Sequence, residues 1–505
     1  VRVVLRGGSG ELGRAKVDGL SDGWKKYEVE IAVSKTDEKA RLELVTTGRG
    51  DVFFDMISLF PQNTFKGRKN GLRADLVQAL VDLKPATFRF PGGCIVHGNG
   101  LDNAYRWKDT VGDVAERKPN WNRWGYHQTY GLGYFEYFQF CEDIGAEPVP
   151  ILPVGVSCGF HQPFENTPMD ELQPWIDDAL DLIEFANGPA ESKWGGVRAR
   201  MGHPEPFNLT YLGLGNEEHD TPEFRKRCPH FVQAVREKHP EIKIAGTSGL
   251  GPEIPLYDLM TDLGVELSDE HYYMDPDWFI ANEDRFDSFD RSKPAIYVGE
   301  YASRNNALYN AVAEAVFLTG IERNADMVHM TAYAPLLARY GHNQWSPNLI
   351  WFDDKMVVRT PNYHVQQMFS RNKGDRYLKN ESQFRMEPAT GNEPARGRIG
   401  VGTWLTSAEF DDITVRAGEK TLIGEDFASD ADNWQVVAGD FASGNGTYAQ
   451  ANREQTPAIS LCKVAVDSPT ATYSLRARKT GGEEGFLILF GSRESDRYYW
   501  WNIGG

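Results

Sequence analysis

The chain has 505 residues, of which 41% are hydrophobic, and its formal net charge is −18 at pH 7. This length is enough for roughly two to four domains, at least one with a large core. The acidic composition disfavours nucleic acids and anionic membranes as partners, because both would be repelled. The sequence also has no run of about 18 apolar residues that could cross a membrane.

The five cysteines are scattered and odd in number, which argues against a full disulfide framework but leaves room for one bridge. None of them occurs at a spacing that is typical of a metal site. We therefore expect no metal and no organic cofactor.

The first segment, residues 1–60, alternates apolar and polar residues with period two, notably at 27–33, 41–47 and 52–59. This pattern predicts antiparallel strands at the end of a carbohydrate-binding-type β-sandwich. The chain begins without an initiating Met or a signal peptide, so we expect an N-terminal truncation. Residues 379–505 repeat the pattern and predict a second β-sandwich, with a C-terminus that is also cut short.

Between these segments, short apolar runs alternate with longer amphipathic stretches, which predicts a parallel sheet covered by helices. Residues 61–378 are therefore assigned to a (β/α)8 barrel, and the fold class is α/β with flanking all-β sandwiches. The predicted strands are 86–93, 147–156, 209–217, 243–249, 265–273, 295–302 and 327–335, and predicted helices include 72–83, 133–145, 174–188, 223–239 and 306–322. Since these are seven strands, the first barrel strand is expected before Val1.

Two carboxylates stand out at predicted strand ends, where barrel active sites lie. Glu217 follows the run LGLGN, and Glu300 follows IYVG. A charge there is costly unless it faces an open site. Three strands apart, the two side chains could face each other across the barrel mouth, as glycosidic cleavage requires. The structural alternative is that each Glu pairs with an Arg or caps a helix.

Other polar side chains also end predicted strands, among them Arg89 and His271. The pair Gly92-Gly93 lacks a GxGxxG pattern or a P-loop Lys, so it predicts a tight turn and not a phosphate site. His271 has no second ligand at metal spacing, so we expect it to be a hydrogen-bonding site residue or a core histidine.

Several longer motifs, in order and with matching spacing, resemble those of the family 51 glycoside hydrolases, the α-L-arabinofuranosidases. The resemblance covers residues 58–375 and is carried by SLFPQNTFKGRKNGLRADLVQALVDLKPATFRFPGGCIVHG (58–98), RWGYHQTYGLGYFEYFQFCEDIGAEPVPIL (123–152), HPEPFNLTYLGLGNEE (203–218), YVGEYA (297–302) and WSPNLIWFD (345–353).

The resemblance implies that Glu217 is the general acid/base and Glu300 the nucleophile of a retaining enzyme. Asn216 would hydrogen-bond the sugar 2-OH, and Tyr273, or its neighbour Tyr272, would hold the nucleophile. The predicted substrate-binding residues are Asn216, Cys94, Tyr273, Tyr272, His271, Trp345, Asn348 and Arg89.

Two departures from the family pattern are visible. His97 stands where relatives often carry Glu, and a first-strand Glu that binds arabinose in the family lies outside this sequence.

The resemblance implies hydrolysis of terminal α-L-arabinofuranosyl units of plant cell-wall polysaccharides such as arabinoxylan or arabinan. Because such polymers are met outside the cytoplasm, we expect an extracellular or periplasmic location. Two alternatives remain: an endo-β-glucanase or xylanase on the same barrel, and a non-catalytic carbohydrate-binding protein. The C-terminal sandwich is similar to laminin-G or concanavalin-like domains, and would either bind polysaccharide or brace the barrel.

Overall fold

The computed structural model describes residues 1–160, 163–374, 396–468, 470–494 and 497–503. The chain divides into two compact units, 1–378 and 379–505. The assignment of residues 1–60 to a domain of their own stays a prediction.

The first unit starts with a small antiparallel sheet of β1 (Arg2–Gly7), β2 (Gly10–Lys16) and β3 (Arg41–Val45), in the order β2-β1-β3. The predicted strands at 27–33 and 52–59 do not form, and both segments lie within the described range 1–160. Phe53 is 78% exposed. Residues 52–59 have no partner strand in the described structure with which to share backbone hydrogen bonds, so their alternation does not produce a sheet.

The remainder of the first unit alternates strands and helices. In chain order the elements are α1 (Ala74–Leu83), β4 (Thr87–Phe90), β5 (Asn120–Trp121), β6 (His127–Gln128), α2 (Tyr134–Ile144), β7 (Glu147–Leu152), α3 (Gln173–Asn187), α4 (Lys193–Arg200), β8 (Tyr211–Leu214), α5 (Pro222–Lys238), β9 (Lys243–Leu250), α6 (Tyr257–Asp262), β10 (Leu267–Met274), α7 (Pro276–Ala281), β11 (Ala295–Ser303), α8 (Leu308–Arg323), β12 (Val328–Tyr333), β13 (Leu337–Arg339), β14 (Ile350–Phe352), β15 (Val357–Arg359) and α9 (Pro361–Arg371).

The central sheet has the strand order β4-β7-β8-β9-β10-β11-β12, and every neighbouring pair is parallel. The edge strands β4 and β12 approach each other, so these seven strands, counted over the described residues, form a nearly closed barrel. The predicted barrel and its seven strands are confirmed.

The barrel strands are apolar on both faces because one face fills the barrel and the other packs under helices. Val149, Ile151 and Tyr297 belong to the cluster of buried residues contributed by the strands themselves. On the outer face, Phe138 and Phe185 of the surrounding helices pack in the largest core cluster. This packing fixes the carboxyl ends of the strands at one edge, where loops project.

The second unit is an antiparallel β-sandwich, as predicted. Its strands are β16 (Gly397–Thr403), β17 (Thr406–Ala417), β18 (Lys420–Glu425), β19 (Trp434–Ala438), β20 (Phe441–Gly444), β21 (Thr447–Gln450), β22 (Ala458–Val466), β23 (Thr472–Gly482), β24 (Phe486–Glu494) and β25 (Arg497–Ile503). One sheet has the order β19-β22-β16-β24-β25; in the other, β18-β17-β21-β20 is joined by β23, which pairs with β17.

The core of the second unit contains Val401, Phe410, Ile413 and Tyr448. In neither unit does the described part of the chain contain a helix long and apolar enough to cross a membrane.

Candidate active site

Seven of the predicted site residues come together at the carboxyl end of the barrel. Arg89 lies on β4 and Cys94 follows that strand, Asn216 and Glu217 directly follow β8, His271 and Tyr273 lie near the end of β10, and Glu300 lies on β11. Parallel strands end at the same edge of a barrel, so residues distant in sequence meet there.

Glu217 and Glu300 are each only 8% exposed. One carboxylate oxygen of each and one ring nitrogen of His271 all lie within 4.8 Å of one another. Two carboxylates so close would repel each other strongly without positive charge or hydrogen-bond donors around them.

Glu300 is surrounded by donors. Its Oε1 accepts a hydrogen bond of 2.7 Å from Nη1 of Arg89, and its Oε2 accepts one of 2.6 Å from the Tyr273 phenol. His271 Nδ1 lies 3.8 Å from the same Oε2. Burial opposes ionisation, but the positive charges of His271 and Arg89 and the Tyr273 hydrogen bond lower the pKa of Glu300 below its usual 4.5. An ionised, fixed carboxylate is what a nucleophile requires.

Glu217 has a different environment. Its Oε1 lies 2.8 Å from Nδ1 of His271, and its Oε2 lies 3.8 Å from the Cys94 thiol. Contact with Cys158, burial and the charge of Glu217 raise the pKa of Cys94, so its thiol stays protonated and donates to Glu217. Glu300 is paired with an arginine, whereas Glu217 contacts only a histidine and a thiol, so the two carboxylates differ in their environment.

The backbone at Glu217 is in the left-handed region, with φ of +57°, and Gly215 has φ of +85°. Non-glycine residues rarely adopt this conformation. The chain therefore turns sharply as β8 ends, and the turn directs Asn216 and Glu217 into the barrel mouth. Strained backbone of this kind is common in active sites.

Asp269 is a further site residue, which was not predicted from the sequence. Its Oδ2 lies 3.2 Å from Nε2 of His271 and 3.6 Å from Nη2 of Arg89. Burial opposes the charge of His271, but Asp269 and Glu300 raise its pKa to about 10, so the imidazolium persists at neutral pH. The available signal was alternation along β10, which puts residues 269, 271 and 273 on one face.

Arg89 also orders Asn216, because its Nη2 donates a 2.8 Å hydrogen bond to Oδ1 of that amide. The side-chain nitrogen of Asn216, Nδ2, is buried and has no hydrogen-bond partner in the protein. It is therefore a donor available to a ligand.

Gly93 is a second residue that the sequence analysis did not assign to the site. A Cβ at this position would lie 2.4 Å from Oε1 of Glu300 and 3.1 Å from Oδ1 of Asn216. Only glycine lets the β4 loop approach the carboxylate this closely. The signal in the sequence was the PGG motif, which predicts only a tight turn.

Tyr272 lies outside the site. It alternates with its neighbours on β10 and packs on the helix side, 5.4 Å from Trp278 and 6.2 Å from Phe317 between ring centroids. The residue that holds Glu300 is therefore Tyr273.

Trp345 and Asn348 lie on the loop between β13 and β14. The Trp345 ring is 39% exposed and lies edge-on to Tyr273, 5.4 Å between centroids. The Asn348 side chain donates a 2.7 Å hydrogen bond to the Trp345 carbonyl. Trp345 thus extends the site outward from Tyr273, and Asn348 fixes the loop.

Glu217, His271 and Glu300 also form a cluster whose ligand atoms, within the described ranges, are close enough for a metal ion. The guanidinium of Arg89 already pairs with the Glu300 carboxylate of this cluster at 2.7 Å. A guanidinium at this position already neutralises the carboxylate, so the arrangement favours a hydrogen-bonded acid/base pair over a metal centre.

Two family models match the chain. The α-L-arabinofuranosidase 1 domain matches residues 79–291, and the α-L-arabinofuranosidase C-terminal domain matches residues 288–479.

The chain is 41% identical to an extracellular exo-α-L-arabinofuranosidase of Streptomyces chartreusis, over 100% of the chain and 62% of that protein. It is 39% identical to α-L-arabinofuranosidase 2 of Arabidopsis thaliana, over 70% of the chain and 51% of that protein. The chain therefore spans between about half and 62% of the length of these two curated relatives.

Among solved structures, the arabinose-bound α-L-arabinofuranosidase MgGH51 superposes with a TM-score of 0.66 at 24% identity, covering 99% of the chain and 77% of that protein. At this identity the likeness concerns the fold.

Proposed function

We propose that this chain, which belongs to the α-L-arabinofuranosidases, acts as a glycoside hydrolase of family 51. It removes terminal α-L-arabinofuranosyl residues from plant cell-wall polysaccharides such as arabinoxylan or arabinan, with retention of configuration. The observation that carries the mechanism is the approach of Glu217 and Glu300, since one carboxylate oxygen of each lies within 4.8 Å of the other. Retaining glycosidases hold their carboxyl groups about 5–5.5 Å apart, whereas inverting enzymes need about 6.5–9.5 Å to admit a water.

In the first step, an oxygen of Glu300 attacks the anomeric carbon while Glu217 donates its proton to the leaving glycosidic oxygen. The bond between the anomeric carbon and the aglycone oxygen breaks, and an ester to Glu300 forms. Arg89 and Tyr273, each hydrogen-bonded to Glu300, hold its carboxylate ready for attack.

In the second step, Glu217 takes a proton from water, whose oxygen attacks the anomeric carbon and releases Glu300. The released arabinose has the configuration of the substrate because two inversions have occurred. His271 lies 2.8 Å from Glu217 and 3.8 Å from Glu300, so its positive charge acts on both carboxylates through the cycle.

Asn216 supplies the contact to the sugar 2-OH. Its Oδ1 is held by Arg89 and its buried amide nitrogen is unpaired in the protein. A donor fixed in this way strengthens its bond as charge develops at the neighbouring anomeric carbon.

We place this activity outside the cytoplasm, since polymeric plant cell walls are met there. A relative of 41% identity bears the description extracellular.

The proposed function is tested with the 505-residue chain on an aryl α-L-arabinofuranoside, on arabinoxylan and on a soluble β-glucan. Release of arabinose from the first two, with the α-anomer formed first by proton NMR, is the expected result. Depolymerisation of the β-glucan without release of arabinose would contradict the proposal. Glu300→Gln, which should lose at least about 10³-fold, shows that the activity belongs to this site.

A further inference from the structure

Glu218, the residue after the acid/base, does not point into the barrel mouth. Its carboxylate folds back beneath the turn that ends β8, where it is 5% exposed. Its Oε1 accepts a 2.9 Å hydrogen bond from the backbone N–H of Asn216. A Cβ on Gly215 would lie 2.5 Å from the same oxygen, so the carboxylate and the turn fit closely.

His97 meets this carboxylate from another loop. It follows β4, is 1% exposed, and its Nε2 lies 2.8 Å from Oε1 of Glu218. Burial opposes the charge of His97, but the facing Glu218 carboxylate raises its pKa. The two side chains thus form a buried ion pair that joins the loops after β4 and β8.

The ion pair is placed where the turn needs support. Glu217 has its backbone at φ of +57°, which is unfavourable for a residue with a Cβ. Such a conformation persists only when its surroundings fix it. The Glu218 carboxylate binds the turn from below, and His97 faces that carboxylate at 2.8 Å.

We propose that His97 and Glu218 are positioning residues for the general acid/base: their ion pair holds the backbone turn that aims Glu217 at the leaving oxygen. This inference rests on the proposed function. It predicts that damage to the pair impairs proton donation and proton removal by Glu217 more than attack by Glu300, which is held by Arg89 and Tyr273.

The experiment compares two substrates that differ in their need for acid assistance. Methyl α-L-arabinofuranoside requires a proton on its leaving oxygen, whereas a dinitrophenyl arabinofuranoside carries a leaving group that departs without one. We expect Glu218→Gln to lower kcat/KM for the methyl glycoside by about 10²-fold and for the dinitrophenyl glycoside by less than about fivefold. Azide, which needs no general base, should raise kcat of this variant on the dinitrophenyl glycoside and form the arabinosyl azide.

His97→Gln should give the same substrate split, and the double variant should be no worse than the poorer single variant, as for two residues that act as one unit. If the melting curve shows that Glu218→Gln does not fold, the ratio of the two kcat/KM values in His97→Gln decides the test.

The control is Asp178→Asn on α3, since Asp178 is also buried and pairs with Lys108 at 2.9 Å, but on the outer face of the barrel. It should leave the ratio of the two kcat/KM values unchanged. Equal losses on both substrates, or none on either, in variants of an active enzyme would overturn the inference. A wild-type chain inactive on both substrates would overturn the proposed function, and the inference with it.

Discussion

The phenol of Tyr273 donates a 2.6 Å hydrogen bond to Oε2 of Glu300. The guanidinium of Arg89 binds the other oxygen, Oε1, so both oxygens of the carboxylate are held. A hydrogen bond to a charged group contributes about 1.5–3 kcal/mol. Tyr273→Phe should therefore lower kcat on an aryl arabinofuranoside by about 10–100-fold. Tyr272→Phe is the matched control, because that ring packs on the helix side, and it should stay within about twofold of wild type. Equal losses in the two variants would contradict this role for Tyr273.

Gly93→Ala should abolish most of the activity while leaving the fold intact. The new Cβ would lie 2.4 Å from Oε1 of Glu300, where no carboxylate oxygen can remain. We expect kcat/KM to fall by at least about 10²-fold, in line with the effect of a misplaced catalytic group.

The control for that variant is Gly131→Ala, whose Cβ would meet its first neighbour at 3.7 Å. Kinetics and melting temperature are measured for both. An active Gly93→Ala enzyme would show that Glu300 is not held where the structure has it.

His271→Gln should change the pH profile. The imidazolium of His271, together with Arg89, lowers the pKa of Glu300 below 4.5. Removing one of these positive charges lets that pKa rise, so the nucleophile becomes protonated at a higher pH. The acidic limb of kcat/KM should move to higher pH, whereas His364→Gln, an exposed position on α9, should leave it unchanged. An unmoved acidic limb in His271→Gln would contradict the charge that we assign to this histidine.

Glu314 offers a test of stability instead of catalysis. It is fully buried on α8, and burial raises its pKa from 4.5 to about 7. Between these two values the folded chain holds a proton that the unfolded chain has lost, so stability falls as pH rises through this window. Because glutamine cannot ionise, the Glu314→Gln variant does not lose stability as the pH rises through this window.

We therefore expect Glu314→Gln to raise the melting temperature at pH 8 by at least about 2–4 °C, the shift for each kcal/mol in a large domain. At pH 4, where the wild-type carboxyl is protonated in both states, the increase should vanish. A destabilised variant at pH 8 would indicate that the pKa of Glu314 is not raised in the folded protein.

The barrel was predictable because its strands are continuous apolar runs between amphipathic helices, a pattern that depends on local sequence. The approach of Glu217 to Glu300 followed from the same pattern, because carboxyl ends of parallel strands share one edge. The pairing of His97 with Glu218 was not predictable, since it joins two loops whose relative position only the closed barrel sets.

Alternation along a strand predicts which residues share a face but not which face is inward, and the choice between Tyr272 and Tyr273 stayed open for that reason. The strand expected at 52–59 failed for a related cause. Its alternation satisfied the local rule, but a strand also needs a hydrogen-bonding neighbour, and residues 52–59 have none in the described structure.

In the proposed mechanism, Glu300 forms a covalent bond to the sugar. An activated arabinofuranoside with fluorine in place of the 2-OH should react with the enzyme and accumulate as the ester. The fluorine slows both steps, but the activated leaving group speeds the first step alone. Peptide mass spectrometry of the trapped protein should then find one arabinosyl-derived mass increment on the peptide that contains Glu300. The same increment on the peptide that contains Glu217, or turnover in which no labelled protein forms, would contradict the assignment of the two roles.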